Sequence, residues 1–198
     1  MIDRALSLLS DELQNYITFS NASADVIIDN IGMLETSNSD SLNRHIVITL
    51  VNVEEESTLK NISPLKKGTS GSAFYENPPV FLNLYVLITC NYSGNDYILA
   101  LRRLSAVIRF FQSCNSFSTR NSTNTTTPPA DSVDLKFTME LYTLTFEQIN
   151  HLWGSLGGRQ VPFVMYKLRV VAITERAVVR TVPLIEEIET NLNKIQKK

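Results

Sequence analysis

The sequence predicts an α+β fold, in which a mixed or mainly antiparallel β-sheet packs against flanking helices. Three segments place apolar residues at three- and four-residue spacing, which is typical of amphipathic helices. The segments between and after them are rich in β-branched residues or alternate between apolar and polar, as strands do. Because helices and groups of strands follow one another without a strict βαβ repeat, a layered α+β architecture is expected.

The N-terminal half is predicted to form one helix and three strands. The apolar stripe from Ile2 to about Phe19 predicts an amphipathic helix that lies on the sheet. Strands are expected over Val26–Leu34 and Arg44–Val53. Val80–Tyr92 is apolar on both faces, so it is predicted to be a central strand that is covered on two sides. Ser63–Pro79 contains two glycines and two adjacent prolines, which predicts a long surface loop.

A second helix is expected from about Asp96 to Ser113. Its apolar stripe is predicted to face the core, with three arginines directed elsewhere. That stripe consists of Leu101, Leu104, Val107, Ile108 and Phe111. The segment Asn115–Ala130 is rich in Asn, Ser and Thr and is predicted to be a mobile insertion, because it has little apolar surface to bury.

The C-terminal part is predicted to form strands around a third helix. Thr145 and Gln148 have the spacing of a capping box at the start of that helix, and Gly157-Gly158 is typical of its end. The remaining elements are strands expected over Val133–Leu144, Pro162–Ile173 and Arg176–Val182.

The chain is predicted to form one domain over residues 1–183, followed by a charged helical tail over residues 184–198. The tail has apolar residues at helical spacing, with glutamates early and lysines late, an order that complements the helix dipole. Two interpretations of the tail remain open at this stage. It either docks on its own domain or is offered to a partner.

Composition excludes several classes of function. A formal charge of −2 over 198 residues gives no positive field that would favour binding to nucleic acid. No basic leader or run of about twenty apolar residues is present, so neither export by a standard signal nor membrane insertion is expected. Cys90 and Cys114 lack metal-ligand spacing and are predicted to be reduced, partly buried thiols. No metal or other cofactor is predicted.

Catalytic groups that could converge are not evident in the sequence. The two histidines, His45 and His151, lie far apart in sequence, and a structural role is predicted for each. Gly154–Gly158 superficially resembles a nucleophile elbow, but it ends a predicted helix, whereas that motif joins a strand to a helix. We therefore do not predict an enzyme, although an enzyme with an unrecognised site remains a rival interpretation.

Charged and apolar surface residues are the candidates for contact with partners. The glutamate run could be either a solvated strand end or an interface patch, and the arginines could be either a solvated face or partners of an acidic patch on a neighbouring subunit. Trp153 is predicted to lie in the core. The interface candidates are Glu54, Glu55, Glu56, Arg102, Arg103, Arg109, Arg159, Ile188 and Leu192.

Six segments in order resemble the cap, or tail-terminator, proteins of antifeeding-prophage-like extracellular contractile injection systems. These segments are Met1–Asp3, Ile48–Glu56, Pro78–Tyr85, Ala100–Gln112, Leu144–Trp153 and Gly157–Arg169. The resemblance covers most of the chain from Met1 to about Pro183. The tail departs from it, because it is charged and helical in pattern where the family suggests a more glycine- or proline-rich end.

The resemblance implies a structural role and a set of partners. It implies a hexameric ring that closes the end of the inner tube and contractile sheath distal to the baseplate, ends polymerisation and anchors sheath to tube. The implied partners are other copies of the chain and the sheath and inner-tube subunits. Assembly is expected in the cytoplasm, and the tail is a candidate arm to the last sheath layer. The alternative function is an accessory adaptor that docks a membrane anchor or another partner onto the particle.

Overall fold

A computed structural model describes residues 1–20, 24–35, 42–59, 63, 65–67, 72–92, 94–119, 135–173 and 178–183. The chain divides into two compact units. The larger unit comprises Met1–Ser57 and Val80–Ile173, and the smaller unit comprises Thr58–Pro79 and Thr174–Lys198. The predicted boundary at residue 183 stays a prediction, since residues 184–198 lie outside the described part of the chain.

The larger unit contains a six-stranded, mostly antiparallel sheet. Its strands are β1 (Asp25–Ile28), β2 (His45–Glu55), β5 (Val80–Asn91), β6 (Ser116–Ser118), β7 (Lys136–Leu141) and β8 (Phe163–Ile173). The order across the sheet is β1-β2-β5-β8-β7-β6. Only the β1–β2 pair among these described strands is parallel. The predicted α+β fold with a mainly antiparallel sheet is therefore confirmed.

Helices cover both faces of this sheet. The helices are α1 (Ile2–Phe19), α2 (Tyr97–Ser113) and α3 (Phe146–Ser155). One core cluster joins α1 and α2 to the face of the sheet that carries Ile48 and Ile88. A second, smaller cluster joins Trp153 of α3 to Val47 and Leu87 on the opposite face. The predictions of α1, of a buried Trp153 and of a central strand covered on both sides are confirmed.

The ends of α3 follow the predicted sequence signals. The Thr145 hydroxyl accepts a hydrogen bond from the Gln148 N–H at 3.3 Å, and the Gln148 side chain accepts one from the Thr145 N–H at 3.0 Å. This reciprocal capping box satisfies donors that the first turn leaves unpaired. Gly157 and Gly158 have φ values of 102° and 81°, which side-chain-bearing residues rarely adopt, so glycine is required where the chain leaves the helix.

The smaller unit corrects the prediction of a loop over Ser63–Pro79. Within that segment lie β3 (Leu65–Lys67) and β4 (Ser72–Glu76), and β4 also pairs with β9 (Val178–Pro183) in a three-stranded antiparallel sheet. The register places Ser72 opposite Pro183. The prediction failed because a strand held by a partner about a hundred residues away needs no strong local pattern.

The predicted strand over Val26–Leu34 is wrong beyond Ile28. The chain turns instead into a 3₁₀ helix over Ile31–Glu35. The Asn30 side chain accepts a hydrogen bond from the Gly32 N–H at 3.0 Å, and such local bonds compete with strand pairing. The predicted mobile insertion over Asn115–Ala130 is wrong at its start, where β6 pairs with β7 and Phe117 is buried. Its residues 120–130, and the predicted helical tail over residues 184–198, lie outside the described residues.

Candidate interaction surfaces

The outer side of α2 carries an apolar surface that the sequence pattern did not predict. Buried side chains of α2 include Ala100, Ala106, Val107, Phe110 and Phe111. Leu101 and Ile108, predicted to face the core, are 42% and 40% exposed. Tyr97 and Ile98 are 57% and 66% exposed on the same outer side, given the helical period. We call these four residues, Tyr97, Ile98, Leu101 and Ile108, the α2 ridge.

Arginines border the α2 ridge. Arg102 and Arg109 are exposed and lie seven residues apart, so the helical period places them along the same border of the outer side. An apolar strip with charges at its rim has the composition of many protein interfaces, where the centre excludes water and the rim stays polar. The α2 ridge with these two arginines is therefore the candidate partner surface on α2.

Arg103 does not belong to this surface, which corrects the prediction that all three arginines point away from the core. It is only partly exposed, its Nε atom is buried, and its side chain interacts with the buried Tyr92. Burial raises the pKa of Tyr92, and the positive charge of Arg103 opposes that rise. Arg103 thus contributes to the packing of its own chain.

A shallow groove of about 420 Å³ lies beside the first half of α2. It is lined by Tyr97, Leu101, Leu104 and the segment 160–163. Arg159 is exposed and immediately precedes that segment. The groove therefore extends the apolar part of the α2 ridge. The other two interface candidates from the sequence, Ile188 and Leu192, lie outside the described residues.

The glutamate run at the end of β2 does not form a single patch. Glu54 and Glu55 are exposed, whereas Glu56 is only 8% exposed. The Glu56 carboxylate accepts a hydrogen bond from Asn83 Nδ2 at 2.9 Å and lies 3.7 Å from Arg169 Nη2. Arg169 also pairs with Glu140 at 3.4 Å. Glu56 therefore holds β5 and β8 to the end of β2.

Replacing Glu56 with alanine is expected to destabilise the fold by about 1–3 kcal/mol, because the buried Asn83 amide loses its acceptor. Chemical denaturation monitored by circular dichroism measures the change. Asp11→Asn on the exposed side of α1 is the matched control, since loss of an exposed carboxylate is expected to change stability by less than about 0.5 kcal/mol. Equal effects of the two substitutions would show that the Glu56 contacts do not stabilise the fold.

Glu54 is fixed by an aromatic group on β5. The Tyr85 hydroxyl donates a hydrogen bond to Glu54 Oε2 at 2.6 Å. The Tyr85 ring also contacts Tyr142 with centroids 5.0 Å apart, and Lys167 Nζ lies 5.4 Å from its centroid. The sequence signal for this arrangement was weak, because Tyr85 and Tyr142 come from separate predicted strands.

The hydrogen bond to Glu54, with a smaller contribution from burial, raises the pKa of Tyr85 to about 12. Because the folded state favours the protonated phenol, this contribution to stability is complete below about pH 10, the ordinary tyrosine pKa, and is lost as the pH rises through about 12. Glu54→Gln is expected to move the Tyr85 titration toward pH 10. NMR titration of ring-labelled tyrosine measures the midpoint of the Tyr85 titration, and the Tyr85→Phe variant identifies the Tyr85 signal. A midpoint that does not move in Glu54→Gln would show that the hydrogen bond to Glu54 does not raise the pKa of Tyr85.

The histidines and cysteines of the described chain differ in their surroundings. His45 Nδ1 lies 2.6 Å from the Asn43 carbonyl oxygen, and His151 is exposed on α3. Cys90 is fully buried, and burial raises its pKa to about 12, while Cys114 is exposed, contrary to the predicted partial burial. Within the described residues no three metal-ligating side chains come together.

Among the helices that the structure describes, none combines the length and the apolar content needed to cross a bilayer.

This architecture is the fold of terminators of contractile injection systems. A cryo-EM structure of the PVC sheath/tube terminator, from an extracellular contractile injection system in the extended state, matches with a TM-score of 0.66 and 14% identity, covering 99% of this chain and 64% of that chain. The anti-feeding prophage cap, a tube-terminating cap, matches with a TM-score of 0.59 and 14% identity, covering 97% of this chain and 61% of that one. The chain thus spans less than two thirds of each structure.

The family follows from the sequence itself. The model of the Pvc16 N-terminal domain matches residues 5–187. The chain belongs to the Pvc16 N-terminal domain family, and the predicted resemblance to cap proteins is confirmed. No curated protein matches the chain.

Proposed function

We propose that this protein is a structural cap, or tail terminator, of a contractile injection system. The observation that carries the proposal is the match of nearly the whole chain to two solved terminator structures, together with its membership of the Pvc16 N-terminal domain family. The cap closes the end of the inner tube and sheath that is distal to the baseplate, and it ends polymerisation there. It acts by binding and not by catalysis.

The cap assembles as a hexameric ring with head-to-tail contacts. In such a contact two different surfaces of one chain meet, and the rotation between neighbours closes the ring. The α2 ridge with Arg102 and Arg109 supplies a basic surface, and the exposed Glu54 and Glu55 supply an acidic one. Opposite charges at the rim fix the register of neighbours more than they add affinity.

The ring contacts the last layers of tube and sheath and anchors one to the other. We propose that residues 184–198, whose apolar positions include Ile188 and Leu192, bind the last sheath layer. Assembly takes place in the cytoplasm of the producing cell, and the finished particle carries the cap at its end.

The test is deletion of the gene in producing cells, with electron microscopy of the particles. We expect open-ended, unstable or abnormally long particles, because nothing stops polymerisation, and restoration of normal length by the wild-type gene. Particles of normal length with an intact cap would contradict the proposal and favour an accessory adaptor instead.

A further inference from the structure

The parallel pairing of β1 with β2 stops early and leaves one side of β2 without a described strand. The register runs only from Asp25 opposite His45 to Ile28 opposite Ile48. β2 continues to Glu55, so its second half extends well past its neighbour. On that side, no strand of the described chain pairs with β2 beyond Ile48.

A side chain of β2 causes this early end. The Thr49 hydroxyl donates a hydrogen bond to the Asp29 carbonyl oxygen at 2.6 Å and accepts one from the Ile31 N–H at 3.1 Å. These bonds turn the chain away from the sheet plane. Ile31 then packs into the core cluster on the α3 side.

The backbone of β2 presents hydrogen-bonding groups along this edge. The Ile48 carbonyl oxygen accepts a hydrogen bond from the Asp29 N–H at 3.2 Å. Residues two apart on a strand direct their N–H and C=O groups to the same side, so the N–H and C=O of Leu50 also point toward this edge. The register shifts between Leu50 and Asn52. Beyond the shift, the Glu56 N–H donates a hydrogen bond to the Phe81 carbonyl oxygen of β5. Val53 lies three residues before Glu56, so its N–H and C=O point to the opposite side, toward the edge.

A slot of about 460 Å³ lies along this edge, in line with the end of β1. Leu6 of α1 borders it on one side, and Leu152 of α3 and Leu156, which follows that helix, border it on the other. Leu50 and Val51 form part of its lining along β2. An extended chain in the slot would direct alternate side chains to opposite sides, because successive residues of a strand point to opposite faces.

We infer that this slot is a strand-addition site that takes an extended segment of a different polypeptide. The segment continues the position of β1, bonds to the backbone of Leu50 and Val53, and carries aliphatic side chains at alternate positions. It also carries a basic residue, since Asp29 in the slot lining is an exposed carboxylate. The segment belongs to a separate polypeptide, because Asp29 favours a positively charged occupant and this chain carries a formal charge of −2. Among the described residues, every strand is already paired within the two sheets.

This inference rests on the proposed function, because the particle supplies the second polypeptide. Hydrogen–deuterium exchange of the full chain, alone and in purified particles, provides the first test. The Val53 amide is expected to exchange rapidly in the isolated chain and at least about 100-fold more slowly in the particle. The amides of Asn52 and Glu54, which face β5, are internal references that exchange slowly in both. A Val53 amide that is slow in the isolated chain, or fast in the particle, would overturn the inference.

The second test uses Val53→Pro with Val53→Thr as its matched control. Proline lacks the N–H but is tolerated on an edge whose N–H faces outward, so the isolated variant is expected to keep its circular dichroism spectrum. Its incorporation into particles is expected to fall at least about tenfold relative to Val53→Thr, measured by quantitative mass spectrometry. Equal incorporation would overturn the strand-addition site.

The possible outcomes distinguish failure of the strand-addition site from failure of the proposed cap function. A wild-type chain that is absent from purified particles would overturn the proposed function and this inference with it. A chain that is present with an unprotected Val53 amide would overturn only the inference. Protection that arises when the isolated chain associates with itself would identify a second copy as the occupant and overturn the assignment to a different polypeptide.

Discussion

The double charge reversal Arg102→Glu and Arg109→Glu is expected to reduce incorporation of the protein into particles at least about tenfold, with the fold intact. Both side chains are exposed on α2 beside the apolar Ile98 and Leu101, so the reversal changes the rim of the α2 ridge and leaves the core unchanged. Like charges across a docked interface cost several kcal/mol. Quantitative mass spectrometry of purified particles measures incorporation, and circular dichroism verifies folding.

Arg4→Glu on α1 is the matched control, since Arg4 is also exposed on a helix of the same unit. Incorporation of the double variant at the level of this control would remove Arg102 and Arg109 from the interface. Arg103 is unsuitable for the comparison, because its buried Nε and its interaction with Tyr92 make it part of the chain's own packing.

Replacing Phe137 with alanine is expected to cost about 3–5 kcal/mol of the free energy of unfolding. Phe137 is 1% exposed and stacks on Phe117 with ring centroids 5.5 Å apart. Phe117 in turn contacts Phe110 and Phe111 of α2, so the cavity would open in the cluster that joins the helix to the sheet. Urea denaturation measures the loss, which is a large part of the roughly 5–15 kcal/mol typical of a folded domain.

Thr138→Ala is the matched control for this cavity. Thr138 is the next residue of β7, and its side chain is exposed, so its loss is expected to change stability by less than about 0.5 kcal/mol. A Phe137→Ala variant as stable as Thr138→Ala would show that the aromatic cluster does not hold α2 to the sheet.

Periodicity predicted which segments are helices more reliably than it predicted which side of α2 is buried. The segment Tyr97–Ser113 was predicted within one residue, yet Leu101 and Ile108 were assigned to the core and lie outside it. The buried side uses two alanines, which contribute little to an apolar pattern but allow close packing. It also contains Arg103, whose aliphatic stem can lie along apolar surface.

Local pattern also could not reveal contacts that depend on distant partners. The pairing of β4 with β9 stabilises a segment whose own sequence favours a loop. Glu56 was grouped with Glu54 and Glu55 because the three are adjacent, but Asn83 and Arg169 bury it. The early end of β1 depends on Thr49, which is twenty residues from Asp29 in sequence. In each case the local structure depends on a hydrogen bond or a strand pairing with residues that are distant in sequence.

The most direct test of the cap role is a cryo-EM reconstruction of the particle end distal to the baseplate, from cells that express the chain with an N-terminal affinity tag. The account predicts a ring of six copies seated on the last tube and sheath layers, with α2 of one copy against the end of β2 of the next. Density for the tagged chain along the sheath or at the baseplate, with an untagged cap at the distal end, would contradict it.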